Sequence, residues 1–176
     1  MIKQTLFAAA LASLIPTFAG AVTSDVTGAV TVNGSVSGRC QFSLDSATIT
    51  IPELSDTSTG VLDPSTVNGR NVALNGWCNG ATSSMAVEAQ PLLNASSAPS
   101  GFTNRVDYTA TATAHPGSGD VSADDTSTVA GAGAAAQVGV FSSAIDVALS
   151  AAGSTGAKLI AGAYTGQVLV TLTPGL

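Results

Sequence analysis

The chain has 176 residues, 45% of them hydrophobic and 9% charged, with eleven acidic against five basic side chains and a formal net charge of −6. That balance disfavours nucleic acid, whose phosphates call for a basic face, and it disfavours anionic membrane surfaces by the same sign. The length is that of one domain with one core.

Met1-Ile2-Lys3, the apolar run 6–14 and the small-residue sequence Ala19-Gly20-Ala21 have the form of a secretory signal peptide, so residues 1–21 are expected to be removed and the mature chain to start at Val22. The apolar run is shorter than the roughly 20 residues a membrane span requires. Behind it, Val26, Gly28, Val30, Val32, Gly34 and Val36 occupy every second position. A period of two puts them on one face of an extended strand. Such a strand serves either as the first strand of its own domain or as an element offered to another.

Short alternating runs then recur along the chain. Residues 41–44, 47–51 (with Ile49 and Ile51 on one face), 72–77, 84–89, 105–113 and 137–141 read as strands. Residues 146–149 read as a separate short run, and 164–172 as a last strand ended by Pro174. Residues 52–69 and 114–136 read as loops, the second because its small side chains offer little apolar area to offset the entropy of ordering them. Residues 130–136 stay with that loop, because Gly131 and Gly133 each cost about 1 kcal/mol relative to Ala inside a helix. Many short strands separated by Gly, Ser, Thr, Asn and Asp predict an all-β sandwich or barrel.

Cys40 and Cys78 are the two cysteines. In an exported protein such a pair is expected to close into a disulfide. A reactive or metal-binding thiol pair would need neighbouring His or Cys ligands, and the single histidine, His115, falls in a polar stretch. Trp77 is expected to pack beside the bridge. The sequence holds no G-x-S-x-G, H-E-x-x-H or P-loop pattern, so no enzyme activity and no catalytic, cofactor-binding or metal residue is assigned. Asp120, Asp124 and Asp125 read as a solvated acidic loop rather than a Ca²⁺ site, and Asp56 and Asp63 read the same way. Asn94-Ala95-Ser96 is a formal glycosylation sequon of the kind that arises by chance. Phe42, Trp77, Phe102, Tyr108 and Phe141 read as core and rim rather than a glycan-binding platform.

Several features occur here in a fixed order: the export signal, the run Val30-x-Val32-x-Gly34-x-Val36 before Arg39-Cys40, a second cysteine 38 positions later, and the alternating C-terminal run. In that combination the chain resembles chaperone/usher pilin subunits. Its ending over 162–172 is also similar to the archaic branch and to spore coat U-type proteins. The resemblance implies an incomplete immunoglobulin-like β-sandwich, completed by a donor strand from a neighbouring subunit. It implies a donor-strand extension at 22–36 and a pilin domain at 37–176. Val26, Val30 and Val32 would be the inserted side chains, with Gly28 at a shallow pocket that a bulky residue could not enter. Tyr164, Val168, Val170 and Leu172 would line the receiving groove or meet a chaperone.

The implied function is that of a structural subunit of a surface fimbria, exported through the periplasm and supporting adhesion or biofilm formation. Its partners would be copies of itself or related pilins, a periplasmic chaperone and an outer-membrane usher, with no cofactor. One departure is that Thr173-Pro174-Gly175-Leu176 follow the last strand, where pilins often finish on an aromatic-containing strand end. The alternatives are a self-complete secreted sandwich that binds glycans or surfaces, and a spore-coat or surface-layer protein.

Overall fold

The computed structural model describes residues 25–176, so the expected signal peptide and residues 22–24 lie outside the described residues. The chain divides into two units, Met1–Gly34 and Ser35–Leu176. In the first, residues 25–34 form neither helix nor strand, and Val26, Val30 and Val32 are 93%, 88% and 88% exposed. The strand expected from this alternation is therefore not formed. Alternation supplies one apolar face, but a strand exists only where a partner supplies the hydrogen-bond ladder.

The described part of the second unit is all-β apart from a 3-10 turn at Pro64–Thr66. Its larger sheet begins with β1 (Cys40–Leu44) beside β2 (Asn71–Cys78). Two further strands, β6 (Arg105–Ala114) and β9 (Phe141–Gly153), continue it in the order β1-β2-β9-β6, all antiparallel. The far edge of β6 is shared by β4 (Leu92–Leu93) and β7 (Val121–Thr126). The smaller sheet has β3 (Ser84–Ala89) at its centre, flanked by β8 (Ala136–Gln137) and β11 (Val168–Thr173). A short parallel pair, β5 (Phe102–Thr103) with β10 (Lys158–Leu159), completes the set.

Alternation explains how the sheets meet. Met85 and Val87 of β3, Val106 and Tyr108 of β6, and Ile145 and Val147 of β9 join one buried cluster. Ala110, Ala112 and Ala114 take the remaining inward places of β6, while Thr109, Thr111 and Thr113 take the outward ones. Two antiparallel sheets sharing one core are consistent with a β-sandwich. Fully burying a Val, Ile or Met stabilises by roughly 1.5–3 kcal/mol relative to leaving it exposed, so this cluster carries much of the favourable term in folding. Cys40 and Cys78 stand directly opposite each other across β1 and β2, Cα atoms 4.2 Å apart, and form the disulfide.

Several expectations need correction. Residues 47–51 are not a strand: Ile49 and Ile51 do turn toward the core, but no neighbouring strand pairs with the segment. Residues 137–141 and 146–149 are not separate strands in the expected sense. Gly139, at a φ of 64°, turns the chain after β8, and Phe141 opens the single 13-residue β9 that absorbs the second run. The stretch 114–136 contains β7, whose inward positions are Ala123 and the buried Asp125. A carboxylate at an inward place hides the alternation from any reading of apolar residues. Finally, β11 starts at Val168, and of residues 164–167 only Thr165 makes an isolated bridge, to Leu93.

Asp125 has a structural task. Its carboxylate accepts the Ala89 N–H at 2.8 Å, and the Gly133 N–H bonds Val87 O at 2.9 Å, so the side of β3 beyond β8 is satisfied without a further strand. In the loop 52–69, Asp56 accepts hydrogen bonds from Ser58 and Thr59, which hold its carboxyl down to about 2. Asp63 accepts the Ser65 N–H and caps the 3-10 turn. These acids build turns. Trp77 lies on the opposite face of β2 from Cys78, because neighbouring strand residues point to opposite sides, so it does not pack beside the disulfide as expected.

Candidate strand-binding groove

The inward faces of the strands are not equally covered. Met85, Val87 and Ala89 of β3 are buried, whereas Val168, Val170 and Leu172 on the neighbouring β11 are only half-buried. In β2, Gly76 and Cys78 are buried near the disulfide, but Val72 and Leu74 further along are half-open. The core is therefore sealed at the disulfide end and opens away from it. There lies a groove of about 930 Å³.

The groove has a floor and two walls. Val72, Leu74, Val147 and Leu149, from the paired strands β2 and β9, provide an aliphatic floor. One wall is the beginning of β11 with Val168 and Val170; the other is the segment 45–51 with Ile49 and Ile51. Asp45 is the one charged residue in the lining. A second, smaller trough of about 520 Å³ continues from the first, sharing Ile49, Ile51 and Leu92 with it.

Both walls lack a strand partner on the groove side. Among the described residues, β11 pairs with β3 alone, and 45–51 pairs with nothing. Unpaired N–H and C=O groups along an edge form a template for another strand. Half-open valines on the same wall add an apolar face. A groove of this kind suits one extended segment with small apolar residues at alternate positions, whose backbone completes the ladders while its side chains cover the floor.

The expected site residues divide accordingly. Val168 and Val170, which the resemblance rather than the alternation assigned to the groove, are among its lining residues. Leu172 instead closes the core toward the disulfide, its Cδ1 so near Gly76 that a Cβ there would stand 3.2 Å away. Tyr164 lines the smaller trough, where its hydroxyl lies 3.1 Å from Thr103 O and 3.2 Å from Ile160 O. Val26, Gly28, Val30 and Val32 lie in the first unit, without secondary structure. The sequence reading missed Ile49 and Ile51 as a wall, and it missed Tyr108. The signal for the first was present, since their shared face was recognised but assigned to a paired strand.

Other chemically suggestive residues are engaged elsewhere. His115 Nδ1 is 2.8 Å from Asp120 and Nε2 is 3.0 Å from Asp146, so both ring nitrogens are occupied. The histidine follows directly on β6, not within a loose loop. Asn94 is buried, its side chain accepting the Ser96 N–H and donating toward Ala161 O, which leaves its amide inaccessible as a glycosylation acceptor. Among the described residues no group of three His, Cys, Asp or Glu side chains is placed to hold a metal ion, and no helix is long and apolar enough to cross a membrane. Comparison with protein-family models, with curated proteins and with solved structures returned no match.

Proposed function

We propose that this chain is a structural subunit of a surface filament in which the groove of one copy receives the N-terminal segment of the next. The observation that carries the reading is the pairing of two features on one chain. One is a half-open aliphatic groove with unpaired walls; the other is a segment whose valines alternate at two-residue spacing and stand exposed. Each feature has what the other lacks. In this reading the fold is an immunoglobulin-like sandwich missing a strand, and Val26, Val30 and Val32 cover the floor while Gly28 passes a shallow point.

Head-to-tail donation is a heterologous contact that need not close on itself, and where its rotation does not close it generates filaments rather than rings. An open groove beside a bare strand edge is also an aggregation hazard before the neighbour arrives. The reading therefore includes a periplasmic chaperone that covers the groove and an outer-membrane usher that exchanges it for the next subunit. The disulfide fits assembly in an oxidising compartment. Export, a fimbrial location, and a role in adhesion or biofilm formation belong to the same proposal, as does the likeness to chaperone/usher pilins.

Burying two valines contributes roughly 3–6 kcal/mol. Replacing both by a charged residue removes that term and adds the cost of desolvating carboxylates. The double variant Val30→Asp/Val32→Asp should fold, retain its disulfide and stay monomeric in size-exclusion chromatography coupled to light scattering, under conditions where the wild-type chain forms multimers. Multimers of unchanged size would overturn the reading.

A further inference from the structure

The groove is bounded at one end by a place where the chain changes sheets. β3 ends at Ala89 in the smaller sheet, Gln90-Pro91 turns, and β4 joins β6 in the larger one. Gln167, just before β11, returns past the same point, where its carbonyl accepts the Gln90 N–H at 2.8 Å. The crossing is tight: a Cβ on Gly166 would stand 2.8 Å from Pro91 O and 2.9 Å from Gln90 O. Into this fork rises Tyr108 from β6. It is 4% exposed and part of the groove lining. Its hydroxyl is 2.7 Å from Gln90 O and 3.3 Å from Gln167 O.

This side chain therefore reaches from the floor sheet to the wall. The distinction matters because β11 is an edge strand, held by β3 on one side and by nothing on the groove side among the described residues. Its attachments outside the β3 ladder gather at its two ends. Beyond its C-terminal end, the Gly175 N–H donates to Ser83 Oγ at 3.1 Å, and Thr82 Oγ1 donates to Leu176 O at 3.0 Å. Before its N-terminal end stands Tyr108. Burial pushes the phenol up to about 12, so it remains a donor throughout the physiological range.

We infer that Tyr108 is a positioning residue for strand docking: its single hydroxyl hydrogen goes chiefly to Gln90 O, and the Gln90 N–H in turn bonds Gln167 O, so through Gln90 it ties the start of the groove wall to the floor and sets the spacing into which an extended segment must fit. This rests on the docking reading above. The role is specific to the hydroxyl. The ring fills the core in either case, so loss of oxygen alone should widen or loosen the mouth of the groove without opening the rest of the core.

The test uses the full chain carrying Val30→Asp/Val32→Asp, so that its own N-terminal segment does not compete. A fluorescent synthetic peptide of residues 25–36 is titrated in, and anisotropy gives its affinity and dissociation rate well below the unfolding temperature. Adding Tyr108→Phe should weaken the peptide about three- to tenfold, mainly through faster dissociation, as expected for one lost hydrogen bond. A residue that only supports the fold would lower the melting temperature and leave docking unchanged, so equal affinity with and without the hydroxyl overturns the inference while the docking reading stands. Failure of the parent chain to bind the peptide at all overturns the docking reading, and the inference falls with it. If Tyr108→Phe does not fold, Ser83→Ala releases the opposite end of the same wall; it should weaken docking to a similar extent, and unchanged docking would overturn the two-ended account of the wall.

Discussion

His115 shows how a single side chain can join elements that are distant in sequence. It follows β6, and it meets Asp120 in the turn ahead and Asp146 on β9. A neutral imidazole has one N–H, so only the charged ring donates to both carboxylates. The Asp120 hydrogen bond, and then that of Asp146, raise the pKa above its ordinary value of 6.5. For a group whose folded-state pKa is raised, the stabilisation is fully present below the unfolded value and is lost as pH rises through the folded one. His115→Asn should therefore lower the melting temperature more at pH 6 than at pH 9, and a difference independent of pH would contradict the assignment. The pairing was not legible in the sequence. Asp146 is 31 residues away, and its approach depends on the register that sets Thr113 opposite it.

At the scale of the element, legibility followed the apolar period. Residues 84–89 coincide with β3, and 72–77 and 105–113 fall within β2 and β6, because Val, Met, Leu and Tyr mark every second place. β7 was hidden because Asp125 occupies an inward position, and β9 was split because Ser142 and Ser143 interrupt its apolar run. The short β4, β5 and β10 carry too few residues to show a period. The disulfide was legible from cysteine count and the expected export, but not its placement across β1 and β2. On the chain-entropy account, a bridge between positions 38 apart stabilises by about 4 kcal/mol. The double replacement Cys40→Ala/Cys78→Ala should lower the stability measured by urea unfolding by an amount of that order. A loss below about 1 kcal/mol would mean that β1 is held chiefly by its ladder with β2.

For the whole molecule, the main feature is an unevenly closed core. Among the described residues, sheet pairing is complete around β3, β6 and β9, and it stops at β11 and at residues 45–51, which face the same groove. Periodicity supplied the faces of these segments, Ile49 with Ile51 and Val168 with Val170. It did not supply their lack of partners, because an edge and a centre strand can share the same alternation. The groove was thus visible in the sequence only through family resemblance, whereas in the structure it follows from which ladders end. The same argument separates the two fates of the N-terminal segment. Its valines are spaced for a strand, and on the proposed reading that strand forms where another chain offers an open edge.

The most direct measurement is gel electrophoresis of the surface fraction sheared from cells that make this chain, probed for the chain with its disulfide intact, before and after boiling in detergent. Donation between subunits predicts a ladder of subunit multiples that collapses to one band on boiling, the mark of non-covalent polymers that open slowly. A single monomer band in both lanes, from protein verified as folded, would contradict the account and identify a sandwich that is complete by itself.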